Sequence, residues 1–130
     1  MNPKDYRFTK DHEWIAVEGD IGTIGITEYA QEQLGDIVSV EFPKIGFEFS
    51  AGDSLALIDS MKTTSDLYAP VSGEITEVNS QLEERPELMN EDPFGEGWIL
   101  KLKIKDATEL EGLMDVDSYE TFSKEEGEGA

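Results

Sequence analysis

Between two apolar runs, Leu55-Ala56-Leu57-Ile58 and Leu67-Tyr68-Ala69-Pro70-Val71, stands Asp59-Ser60-Met61-Lys62-Thr63-Thr64-Ser65-Asp66. This stretch limits the fold more than any other. Runs of that length, rich in branched and aromatic side chains and joined by small polar residues, predict two strands and a tight turn with Lys62 at its tip. Gly52 and Gly73 flank the lysine at nearly equal spacing, and each is followed by an acid, Asp53 and Glu74. The arms read as approximate copies related by a two-fold axis through Lys62.

A lysine on such a tip is accessible to an enzyme that would modify its amine, and covalent attachment of a prosthetic group is the sharper reading. The plainer one is a surface lysine in an ordinary hairpin. Near-symmetry and the scarcity of cations favour the first, because Lys and Arg total 10 against 30 Asp and Glu. The formal charge of −20 disfavours nucleic acid and anionic membranes, which bind through clustered cations, and points to partners with basic surfaces.

With no Cys, the chain has no disulfide, no thiolate nucleophile and no sulfur-ligated zinc, so any thiol chemistry belongs to something attached. No apolar run approaches the roughly 20 residues that cross a bilayer. The start, Met1-Asn2-Pro3-Lys4-Asp5-Tyr6, lacks the features of a signal or transit peptide. The expectation is a cytoplasmic protein, or a mitochondrial matrix protein from which a transit peptide has been removed. At 130 residues the chain is read as one domain over 1–130, with an N-terminal segment over 1–10 and an acidic tail over 123–130 expected to fray.

Along the chain, Trp14 to Val17 and Ile21 to Ile26 predict strands about a turn at Glu18-Gly19-Asp20, with glycines at 22 and 25 allowing close backbone approach. Ile26, Tyr29, Ala30 and Leu34 share a helical stripe, with Thr27 as N-cap and Gly35 just past the end. Val38, Val40 and Phe42 alternate with Ser39 and Glu41 as in a half-buried strand. Glu74 to Val78 is another strand, Ser80 and Glu83 fit a capping box, and residues 84–97 read as irregular. Trp98, Leu100, Leu102 and Ile104 alternate with Ile99 and three lysines, a strand whose cationic face should meet carboxylates. Thr108 and Glu111 fit a second capping box for a helix with Leu110, Leu113 and Met114 on one stripe, and Tyr119 and Phe122 suggest one or two more helical turns.

A lone histidine, His12, makes no triad or dyad, and Asp115-Val116-Asp117 lacks the glycine and terminal acid of a calcium loop. No metal site is expected. One reading of His12 beside Glu13 is a functional pair; the plainer one is a structural hydrogen-bonder ahead of a strand, and Trp14 and Trp98 read as core.

The motifs His12-Glu13-Trp14, Gly25-Ile26-Thr27-Glu28-Tyr29-Ala30-Gln31, Leu34-Gly35-Asp36-Ile37-Val38, Ser60-Met61-Lys62, Pro70-Val71-Ser72-Gly73-Glu74 and Gly95-Glu96-Gly97-Trp98 occur in one order over nearly the whole chain. In this the sequence resembles the H-protein family of the glycine cleavage system, lipoyl carriers. The resemblance implies a mainly β fold, the lipoyl/biotinyl hammerhead, a flattened antiparallel sandwich with short helices and a helical C-terminal segment. It implies a non-catalytic, monomeric carrier with lipoate covalently bound to Lys62, and an arm-docking cleft lined by Glu13 and Asp66. Implied partners are glycine decarboxylase, aminomethyltransferase, dihydrolipoyl dehydrogenase and the lipoylation enzyme. Asp59 replaces the family's usual Glu, Met61-Lys62-Thr63 replaces Val-Lys-Ala, and Asp11 stands where Ser or Thr usually precedes the histidine. The alternatives are an H-like carrier or lipoyl donor for another lipoate-dependent pathway, and a biotin carrier, a class that also places Met before its lysine.

Overall fold

A computed structural model describes residues 6–129, and the side chains of those up to Lys124. Two antiparallel sheets make the body. Strands β1 (Tyr6–Phe8), β2 (Glu13–Glu18), β3 (Ile21–Ile26), β9 (Leu100–Ile104), β8 (Gly73–Val78) and β5 (Glu48–Phe49) lie side by side in that order. The second sheet comprises β4 (Ile37–Glu41), β6 (Ser54–Ser60) and β7 (Thr64–Tyr68).

Register explains why β2 is buried on both faces. Ile15 lies opposite Ile24, which lies opposite Leu100, and all three enter the main core with Ile58, Leu67, Ile75 and Leu102. Trp14 lies opposite Gly25 and, on its other side, Phe8, placing the indole in a second cluster with Tyr6, Ala16 and Tyr119. The second cluster is roofed by α4 (Val116–Gly129), an element the pattern at Tyr119 and Phe122 anticipated. That helix continues through most of the acidic stretch expected to fray; Ala130 and residues 1–5 of the N-terminal segment lie outside the described residues.

Local chemistry sets the other elements. Helix α1 (Glu28–Leu34) begins where the Thr27 side chain accepts the N–H of Ala30, and ends at Gly35 with φ 75°, a conformation that favours glycine. Lys101 and Lys103 lie opposite Glu77 and Glu74, and Lys105 pairs with Glu48 at 3.0 Å, as the solvated-face reading required.

Several expectations are corrected. Val38 is 47% exposed because a bulge between Ile37 and Ser39 breaks the alternation. Ile99 is fully buried instead of outward-facing, and β9 begins only at Leu100. Residues 84–97 contain α3 (Leu88–Glu91), which follows α2 (Gln81–Glu84) and buries Leu88 and Met89. Ser80 precedes α2 without a side-chain cap, and the segment after Asp106 is a 3-10 helix over Ala107–Gly112 capped by Asp106, not by Thr108. The two glycines flanking the lysine do different work. Gly52 sits in open space at φ 93°, whereas a Cβ on Gly73 would meet the Lys103 carbonyl oxygen.

Candidate functional site

The lysine tip is a turn of minimal length. Ser60 N–H donates to the Thr63 carbonyl at 2.8 Å, while the Ser60 hydroxyl oxygen accepts the N–H groups of Lys62 and Thr63 and donates to the same carbonyl. Asp59 fixes the arms by accepting from Thr64 at 2.6 Å and from Ser39 at 3.2 Å. Met61 N–H donates to the Asp36 carbonyl, tying the tip to the end of α1. Met61 itself is 75% exposed and Lys62 is exposed beside it. The lysine stem passes over Gly35, where a Cβ would stand 3.3 Å from Lys62 Cε.

Beside the tip lies a cleft of about 300 Å³. One wall is the helix face of Tyr29, Ala30, Gln33 and Leu34; the opposite wall is Ile58 and Thr63 to Asp66; the turn Asp11-His12-Glu13 closes the end. Glu13 on β2 and Asp66 on β7, with β3, α1, β4, β5 and β6 between them in sequence, therefore line one cavity. They differ in environment. Glu13 is 2% exposed, because in the alternation of β2 it shares the inward face with Ile15. Its carboxyl accepts the N–H of Tyr68 and the hydroxyl of Thr9. Burial pushes this carboxyl up to about 8; the Tyr68 N–H opposes the rise, the neighbouring Asp11 carboxylate adds to it, and Thr9 opposes it again. Asp66 is half-buried and accepts from Ser54 at 2.8 Å and, more weakly, from the Tyr68 phenol at 3.4 Å.

His12 holds φ 63°, the left-handed region that a residue other than glycine rarely adopts. It is a structural hydrogen-bonder as the sequence indicated, with Nδ1 2.7 Å from the Tyr119 hydroxyl and its ring 4.3 Å from that of Tyr29. Tyr119 was not anticipated as part of this region. Its partners lie 107 and 92 positions away, and no local pattern signals pairings of that range. Among the described residues no cluster of His, Cys, Asp and Glu is arranged to hold a metal ion, and no helix is long and apolar enough to cross a membrane.

The family model for the glycine cleavage H-protein matches residues 6–126. The chain belongs to the glycine cleavage H-protein family. It is 52% identical over 126 residues to the glycine cleavage system H protein of Carboxydothermus hydrogenoformans, with 97% of each chain covered. Against that of Symbiobacterium thermophilum it is 52% identical over 123 residues, covering 95% and 96% of the two chains. The crystal structure of the Mycobacterium marinum H protein superposes with a TM-score of 0.84 at 37% identity, covering 97% of this chain and 99% of that one. Membership makes the chain a lipoyl-carrier component of the glycine cleavage system, a carrier and not itself an enzyme.

Proposed function

We propose that Lys62 bears lipoate in amide linkage and that the chain presents this arm in turn to glycine decarboxylase, aminomethyltransferase and dihydrolipoyl dehydrogenase, after a lipoylation enzyme has recognised the tip. When bound, lipoate supplies the sulfurs that carry the aminomethyl group of glycine and the dithiol that is reoxidised. All else falls to the protein. The Ser60-centred turn projects the Lys62 amine outward, the glycine at position 35 leaves room for the stem to lie back, and Ile26, Ala30, Leu34 and Ile58 give the cleft an apolar lining suited to the hydrocarbon chain of the arm. Glu13 and Asp66 are suited to the amine of the cargo, which offers a cation to a carboxyl already withdrawn from water.

The observation that carries this reading is an exposed lysine on a hydrogen-bonded tip with a cleft of its own beside it. Intact mass of the protein made in lipoate-fed cells, wild type and Lys62→Ala, tests it. The wild type should carry a lipoyl adduct and the variant none, with stability unchanged to within about 0.5 kcal/mol as for an exposed residue. Lipoate on the variant, or biotin on the wild type, overturns the assignment.

A further inference from the structure

Tyr119 lies on the C-terminal helix, far in sequence from the lysine hairpin, yet its hydroxyl stands at the junction of two walls of the cleft. It is 2.7 Å from His12 Nδ1 and 2.7 Å from Thr27 Oγ1. Thr27 is buried and its oxygen accepts the Ala30 N–H, so it sets where α1 begins; its own N–H donates to the His12 carbonyl at 3.0 Å. The ring of Tyr119 stacks on Phe8 with centroids 4.6 Å apart, which fixes the hydroxyl from the far side. Both groups it reaches belong to the cleft: His12 lines it directly, and Thr27 anchors the helix that supplies Tyr29, Ala30, Gln33 and Leu34.

We propose that Tyr119 is a positioning residue for arm docking, a clasp by which helix α4 holds the His12 turn and the start of α1 at the separation the loaded arm requires. This rests on the reading that the cleft receives the arm. The hydrogen-bond chain is consistent in its protons. Thr27 donates to the phenol oxygen while the phenol donates to His12 Nδ1, or an Nδ1–H of His12 donates to the phenol, which donates to Thr27; in either sense one proton lies between each pair. The left-handed backbone of His12 is a strained conformation that persists only where surroundings hold it, and the phenol is one of those restraints.

Tyr119→Phe keeps the stack on Phe8 and removes only the hydroxyl. His12 is the single histidine, so its ring nitrogen resonances are assigned directly in the unloaded protein, and the change between wild type and variant reads the loss of the phenol. The wild type should show one fixed tautomeric pattern and the variant a changed or averaged one. Lipoylation of Lys62 should proceed at the wild-type rate, while the lifetime of the isolated aminomethyl-loaded form should shorten about fivefold, equivalent to ~1 kcal/mol. Val116→Ala, chosen on the same helix to lower the melting temperature without touching the hydroxyl, should leave both readouts unchanged. Equal lifetimes for wild type and Tyr119→Phe overturn the clasp. A wild-type lifetime no longer than that of a free aminomethylated lipoamide overturns the docking reading and the clasp with it.

Discussion

The Glu13 carboxyl accepts the backbone N–H of Tyr68, 55 positions away, at 2.5 Å. One acid thus stitches the start of β2 to the end of β7 and closes the floor between the two sheets next to the cleft. Its cost is desolvation, and the cost depends on pH.

A buried acid raised to about 8 from its ordinary 4.5 binds a proton more tightly folded than unfolded. Its contribution to stability is therefore fully present below the ordinary value and is lost as pH rises through the raised one. Wild type should lose stability relative to Glu13→Gln as pH is taken from about 5 to about 9, because the amide keeps an acceptor for Tyr68 and never ionises. Asp106 and Asp115, held below the ordinary range by hydrogen bonds from Thr108 and Ser118, act with the opposite sign and only at more acid pH. Thermal melts of both proteins across that range check this, and a pH-independent difference would count against a raised Glu13.

Gly25 and Gly22 make a second comparison, between two glycines on one strand. A Cβ at Gly25 would stand 2.6 Å from the Trp14 indole, which is pinned by donating to the carbonyls of Ile26 and Pro93, each at 3.0 Å. At Gly22 the obstacle is the Ile15 side chain, with its terminal methyl at 2.7 Å and Cγ1 at 3.1 Å, the far end of a flexible chain and not a pinned ring. Gly25→Ala should cost about 1–3 kcal/mol, as overpacking does, and Gly22→Ala less. Denaturant unfolding of the two variants decides the order.

These contacts also mark how far the sequence could be read. Hairpin, lysine tip, capped α1 and the lysine-bearing strand were legible because each is written in local periodicity and end chemistry. Glycines 22 and 25 were expected to admit a close backbone, but what lies over them is the side chains of Ile15 and Trp14, which the strand's own sequence does not show. Helix α3 was not legible, since one apolar pair, Leu88-Met89, within a polar stretch gives no period to detect. Neither was the exposure of Val38, which depends on a bulge that only the partner strand reveals. At the site, Lys62 stood out by its neighbours, and Glu13 and Asp66 came through family resemblance alone. The burial of Glu13 was implicit in the alternation that puts it on the face of Ile15. Tyr119 and its bonds to His12 and Thr27 arise entirely from tertiary structure.

The burial of Glu13 sharpens what its substitution should do to the loaded protein. With its carboxyl raised to about 8, the acid is mostly neutral at pH 7 and offers an oxidised, uncharged arm no charge. An arm ending in an ammonium group favours the ionised form, so entry of the amine should release the Glu13 proton and leave a charge-assisted pair beside Asp66, each bond contributing about 1.5–3 kcal/mol. Only the loaded arm should dock, and docking keeps water from the carbon it carries. Glu13→Gln and Asp66→Asn should then leave lipoylation of Lys62 unchanged while shortening the lifetime of the loaded form about tenfold each, the kinetic equivalent of ~1.4 kcal/mol. The two effects should not add, since both carboxylates address one amine. Glutamine mimics the protonated acid, so a Glu13→Gln lifetime equal to wild type would mean that Glu13 stays neutral when the arm is in place and that the amine is held by Asp66 or not at all. Wild-type lifetimes for both variants would remove these two residues from the docking of the arm.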